Sequence, residues 1–312
     1  MDEYIIKIQG LNKSFKDKIA LKNITFNVKM GEIIGIVGHN GAGKSTLINT
    51  MVDVYKPNEG ELEFIFDHKS LYDHIGVQMQ KSYFEGKSKV IDICKLYKRL
   101  TQSDIDIDAL LQEFELINEK NTYIKHLSGG NLQRLSILLT LVHQPEVIFL
   151  DELTTGLDPL ARRKVWEVLK EINKKRNVTI ILSSHFLDEI EYLADRIIIL
   201  NKGEMAYFGG VSSAIDKYSS GEKIIEFQIS DERASFKLMK YEAISLTDGR
   251  YQIRTNNDGK VLKELFDDVG IKNLIVKAPS LEDVFLKVAG YRLDEEGRIV
   301  NEETKCISDL SV

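Results

Sequence analysis

Gly38-His39-Asn40-Gly41-Ala42-Gly43-Lys44-Ser45-Thr46 puts glycines, a lysine and two hydroxyls in the G-x-x-x-x-G-K-[ST] arrangement. Triphosphate oxygens are met by backbone N–H groups at close range. Glycines permit that approach, and a following helix N-terminus adds positive potential. Lys44 is placed to reach the β- and γ-phosphates, and Ser45 offers a hydroxyl to Mg²⁺. A second chemical element is the pair Asp151-Glu152. Asp151 suits Mg²⁺, and Glu152 suits orienting or deprotonating a water for attack on a γ-phosphate.

These residues need elements to hold them. Ile33-Ile34-Gly35-Ile36-Val37 is an unbroken apolar run ahead of the loop and reads as a buried parallel strand. Gly43 to Val52 reads as the helix after it, so the loop is a strand-to-helix turn. Glu146 to Leu150 reads as another buried strand that delivers Asp151 and Glu152 to its carboxyl end, where ligands of open α/β sheets bind. Ser128, ahead of Gly129-Gly130-Asn131, reads as a helix N-cap.

With these residues in order, the chain resembles the nucleotide-binding subunits of ATP-binding cassette (ABC) transporters over about its first 215 residues. Leu127-Ser128-Gly129-Gly130-Asn131 resembles their signature, with Asn131 replacing the usual glutamine. Asp151 to Pro159 resembles the Walker B element running into the D-loop at Asp158. His185, after the apolar run Val178 to Leu182, matches the switch histidine. Gln80 falls at the Q-loop glutamine, chosen over Gln78 by its offset from Gly76, and Phe15 is similar to the aromatic residue that stacks on adenine.

The resemblance implies a site of ATP and Mg²⁺. Glu152, His185, Gln80 and Lys44 are its expected catalytic residues, and Ser45, Gln80 and Asp151 its metal ligands. Phe15, Gly38 to Thr46, Ser128, Gly129, Gly130 and Asp158 hold nucleotide, Ser128 to Gly130 as a dimer partner's contribution. It also implies a homodimer, or a heterodimer with another ABC ATPase, on a separate transmembrane permease.

Composition bounds the rest. The chain has 312 residues, 43% of them hydrophobic, and a net charge of −6 with acids and bases interspersed. That length suits two domains, and no basic clustering points to nucleic acid. The longest apolar runs, such as Ile197 to Leu200, are strand-sized, and the acidic start Met1-Asp2-Glu3 does not read as a secretory signal. Cys94 and Cys306 read as free thiols of a reducing compartment. The expected location is peripheral, on the cytoplasmic face of the cell membrane.

The expected fold class is α/β: a P-loop ABC ATPase with a RecA-like core, an antiparallel β subdomain and a helical subdomain, plus a small α+β C-terminal domain. Residues 1–215 form the ATPase, with the helical insertion over about 82–143 and a hinge at Met79 to Lys89. Residues 216–290 follow a β-α-β-β-α-β order, a split βαβ unit. A helix capped by Ser280, with Asp283 in the box position, follows, and Asp294 to Val312 reads as a mobile polar tail within a polar segment 291–312. Ser280 to Leu286 resembles the end of the C-terminal extension in drug-resistance and antibiotic-efflux ABC ATPases, which favours export. The alternatives are a non-transport ABC ATPase acting on ribosomes or DNA, disfavoured by the single cassette and lack of a heptad run, or an importer ATPase.

Overall fold

A computed structural model describes residues 4–79, 87–219, 221–230, 232–246, 249–288, 291–293 and 299–301. The chain divides into two compact units, Met1–Gly210 and Val211–Val312. Among the described residues no helix is long and apolar enough to cross a membrane.

The strands of the first unit are β1 Tyr4–Phe15, β2 Lys18–Lys29, β3 Ile33–Val37, β4 Glu59–Phe64 and β5 Ile75–Gln78, then β6 Val147–Asp151, β7 Thr179–Ser183, β8 Arg196–Asn201 and β9 Glu204–Gly210. Its helices are α1 Lys44–Met51, α2 Leu71–His74, α3 Val90–Leu100, α4 Ile107–Glu113, α5 Gly129–Thr140, α6 Pro159–Arg176 and α7 Leu187–Leu193.

Two sheets follow from two kinds of patterning. In β3, β6 and β7 every residue is buried, as central parallel strands require. They lie in a six-stranded sheet of order β5-β6-β7-β3-β8-β9, parallel except for β9. β1 and β2 mix buried and exposed positions, β4 has exposed and half-buried ones, and the three form an antiparallel sheet of order β2-β1-β4. A shared core of Ile5, Leu21, Ile36, Leu47, Phe149 and Ile198, with other apolar residues, joins this sheet to the larger one.

The helices are seated closely on that frame. A Cβ on Gly76 of β5 would lie 2.3 Å from the Thr140 carbonyl oxygen, so only glycine admits α5 at this distance. The helical insertion holds α3, α4 and α5, with Val90, Ile91 and Cys94 of α3 turned inward. The expected hinge falls mostly on residues 80–86, outside the described residues.

The second unit, taken by itself, holds α8 Val211–Ser219, β10 Lys223–Ile229, β11 Ile244–Ser245, β12 Tyr251–Thr255, α9 Asp258–Glu264, β13 Ile271–Lys277 and α10 Leu281–Val288. Its sheet runs β11-β12-β10-β13 with antiparallel neighbours, the arrangement a split βαβ chain order produces. Ile225, Phe227, Leu238, Ile253 and Leu265 make its core.

Some local expectations shift. The first helix of the β-α-β-β-α-β order is a 3₁₀ segment, Glu232–Tyr241, and the second, α9, runs on into a π turn, Leu265–Val269. At α10 the Ser280 N–H donates to Asp283 Oδ2 at 3.0 Å, as a capping box requires. The Ser280 hydroxyl donates to that same oxygen rather than accepting from the helix, so the box is half formed. The polar tail is not wholly without structure: Ile299–Asn301 pairs antiparallel with Tyr291–Leu293, now β15 and β14. Alternating Tyr291-Arg292-Leu293 and Ile299-Val300-Asn301 carry the apolar and β-branched residues a short hairpin needs. Cys306 lies outside the described residues.

Candidate functional site

The phosphate loop runs between the end of β3 and the start of α1. Gly43 is the N-cap of α1 at φ 111°, and a Cβ there would lie 2.7 Å from the Ala20 carbonyl oxygen. Gly41 also has positive φ, at 83°. These conformations turn the chain so that α1 begins at Lys44 with its N-terminus toward the cleft. Lys44 is buried, and its ammonium donates to the carbonyl oxygens of Gly38 at 2.9 Å and His39 at 3.3 Å. Burial pushes its pKa below the usual lysine value, while the nearby Glu152 and Asp151 carboxylates oppose that shift.

β6 and β7 supply the acidic side. Asp151 and Ser183 are partners in the parallel register, and the Ser183 hydroxyl donates to Asp151 Oδ1 at 2.5 Å. The Ser45 hydroxyl donates to the same oxygen at 3.3 Å. A hydroxyl and a carboxylate thus meet beside the phosphate loop, an all-oxygen set that suits Mg²⁺. Among the described residues no group of three or more His, Cys, Asp and Glu is arranged to hold a metal.

Glu152 has φ 50°, a left-handed conformation uncommon outside glycine and asparagine. Its N–H donates to the Ser183 carbonyl oxygen at 3.1 Å and contacts the Ser183 hydroxyl at 3.1 Å. These bonds hold the strained residue at the strand end. His185 Nε2 meets Glu152 Oε1, so the two residues predicted for hydrolysis are in direct contact.

A cleft of about 460 Å³ is lined by Phe15, Lys18, Ala20, Asn40, Gly41, Gly43, Lys44, Ser45, Thr46, Glu152 and His185. Phe15 is exposed, near perpendicular to Tyr55 with ring centroids 5.0 Å apart, and Lys13 Nζ lies 5.1 Å from its ring centroid. Sequence reasoning did not single out Lys18, Ala20, Tyr55 or Ser183. Lys18 and Ala20 carry no motif of their own, and Ser183 acquires a role only through strand register. Gln80 lies outside the described residues. Its rival Gln78 is buried on β5, opposite Leu150, with Nε2 donating to the Met79 carbonyl oxygen and Oε1 without a hydrogen bond.

The signature residues line a different cleft, of about 290 Å³. Ser128, Gly129, Gly130, Asn131, Arg134 and Asp158 share it with the turn Gly156-Leu157. Ser128 is the N-cap of α5 and accepts from the Asn131 N–H at 3.2 Å. Asn131, which departs from the family's glutamine, accepts from Arg134 Nη2 at 2.6 Å, and Arg134 also reaches the Phe114 carbonyl oxygen and Glu115. Its side chain thus braces the helix. Asp158 is the N-cap of α6, accepting from the N–H groups of Leu160 and Ala161, with Pro159 in the first turn.

The sequence pattern defining the ABC transporter domain matches residues 21–155. An uncharacterized ABC transporter ATP-binding protein of Methanocaldococcus jannaschii is 33% identical over 80% of this chain and 96% of its own length. The bacitracin transport ATP-binding protein BcrA of Bacillus licheniformis is 31% identical over 92% and 97%. The chain spans only 37% of the ABC transporter A family member 7 of Dictyostelium discoideum, at 30% identity and 92% of its own length. A dimeric ATP-binding cassette solved in a post-hydrolysis state with ADP and Pi superposes with a TM-score of 0.58, at 27% identity over 66% of this chain and 98% of that one. At these identities and coverages the chain belongs to the ABC transporter family as an ATP-binding, ATP-hydrolysing subunit.

Proposed function

We propose that two copies of this chain, or one copy and a related cassette, sandwich ATP and drive a separate membrane permease, in the direction of export. One observation carries the dimer: the phosphate loop and the signature line separate clefts of the same chain. A helix N-terminus capped by Ser128 is an anion site. It reaches a γ-phosphate only when another chain presents one.

Within the first cleft, Phe15 takes the adenine face, and the N–H groups of Gly41 to Thr46 with Lys44 take the phosphates. Ser45 and Asp151, with Gln80, would hold Mg²⁺, which would supply charge neutralisation to the phosphates. Glu152 accepts the proton of the attacking water, and His185, touching Glu152, fixes the carboxylate's direction and senses the γ-phosphate. The residues Ser128, Gly129, Gly130 and Asp158 complete the partner's site.

Export is favoured by likeness to the bacitracin transport protein over nearly the whole chain, including the second unit that a bare cassette lacks. The Nod factor export ATP-binding protein I of Mesorhizobium japonicum is similar over 93% of this chain. The test is purification of the tagged chain from detergent-solubilised native membranes. A stoichiometric polytopic membrane protein, whose presence raises ATP turnover, is the expected result. Recovery with ribosomes and without a membrane protein would overturn the transport reading.

A further inference from the structure

We infer that Glu189 is a positioning residue for hydrolysis, its buried carboxylate clasping the loop after Glu152 to the loop that carries His185. Glu189 lies on α7 with 0% exposure. Its Oε2 accepts from the Thr154 hydroxyl at 2.9 Å and from the Ser184 hydroxyl, and its Oε1 accepts from Trp166 Nε1 at 2.8 Å. Thr154 stands two residues after Glu152, and Ser184 immediately before His185. The inference rests on the reading above that Glu152 and His185 act together on the attacking water.

The donor directions are fixed by chemistry. An indole N–H only donates, so Oε1 must accept. The Ser184 oxygen already accepts from the Phe186 N–H at 2.9 Å, which leaves its proton for Glu189. Burial pushes the Glu189 carboxyl up, and the three donors pull it back. A buried carboxylate is tolerated only where such donors replace water.

A purely structural role would need only Trp166, which ties α7 to α6. The other two donors come from the two loops whose ends bear the hydrolytic pair. A second link runs beside them: the Arg162 guanidinium of α6 lies 4.0 Å from the Phe186 ring centroid, and its Nε and Nη1 are buried without a hydrogen bond. Phe186 is the residue after His185, so the switch loop is gripped on both sides. Since Glu152 sits at a strained φ, its carboxylate and the His185 ring hold their contact only while both loops keep their places.

The experiment compares wild type with Glu189→Gln, Ser184→Ala and Thr154→Val, reading kcat, KM for ATP, ATP affinity and thermal midpoint. Glu189→Gln replaces one acceptor oxygen by an NH₂ that only donates, so either the two hydroxyls or the Trp166 N–H face a donor. It is expected to lower kcat by about tenfold or more, the scale of sub-ångström misplacement, with KM and affinity within about twofold. Ser184→Ala should lower kcat in the same direction with an unchanged midpoint, and Ser184→Ala combined with His185→Ala should be no slower than His185→Ala alone. Two results overturn the clasp: kcat within about twofold in all three variants, or a parallel fall of kcat, affinity and midpoint in Glu189→Gln with Ser184→Ala and Thr154→Val at wild-type rate. Glu152→Gln is the control. If it hydrolyses ATP at the wild-type rate, the assignment of the hydrolytic pair fails, whatever Glu189 does.

Discussion

Lys44→Ala removes the one buried ammonium of the phosphate loop among the described residues. In the structure it bridges the Gly38 and His39 carbonyl oxygens, with the Glu152 and Asp151 carboxylates near enough to favour its charge. Toward ATP the same ammonium makes charge-assisted hydrogen bonds worth about 1.5–3 kcal/mol. At 1.4 kcal/mol per tenfold, the variant should bind ATP about 10- to 150-fold more weakly. The fold itself should change little. Burial already disfavours the charged form, so deleting it relieves a desolvation penalty that offsets the two lost bonds, leaving a net effect of about 1 kcal/mol or less. Calorimetric titration with Mg-ATP measures the affinity, and phosphate release the turnover, which should vanish. Affinity and turnover both within about twofold of wild type would refute the placement of Lys44 on the phosphates.

Two further outcomes are expected. Gly43→Ala forces a side chain into φ 111° and against the Ala20 carbonyl oxygen, costing about 1–3 kcal/mol; differential scanning calorimetry should show a fall of roughly 2–12 °C with lost ATP binding, and an unchanged midpoint would contradict it. Cys94 is a free thiol whose pKa burial pushes up to about 12, so at pH 8 about one in ten thousand is thiolate. In a Cys306→Ser background a thiol reagent should therefore find no reactive group in the native protein and one after denaturation.

Much of the site was legible because its chemistry is local. The phosphate loop is a contiguous run whose strand and helix neighbours announce themselves by apolar patterning, and Asp151-Glu152 closes another such strand. What stayed hidden depends on contacts between distant segments. Ser183 joins Asp151 only through parallel register, and Glu189 gathers Thr154, Trp166 and Ser184 from three separate elements. Asn131 reads from sequence only as a replacement of the usual glutamine, and its bond with Arg134 gives it a bracing role. In the second unit the strand order was readable, while the 3₁₀ form of Glu232–Tyr241 depends on packing that propensity does not encode.

The central claim is that ATP is held between two chains, with Glu152 releasing the pair by hydrolysis. Glu152→Gln keeps the size of the side chain and should stall turnover by about 10²–10⁴-fold, leaving ATP to stabilise the closed pair. Ser128→Arg sets bulk and positive charge at the signature cleft, remote in function from the chain's own phosphate loop. Size-exclusion chromatography with light scattering in Mg-ATP decides the matter. Glu152→Gln should run as a dimer with ATP and a monomer without it, and Glu152→Gln with Ser128→Arg should bind ATP yet remain monomeric. An ATP-dependent dimer of equal strength in the double variant would contradict the sandwich, because Ser128 would then not face the partner's nucleotide.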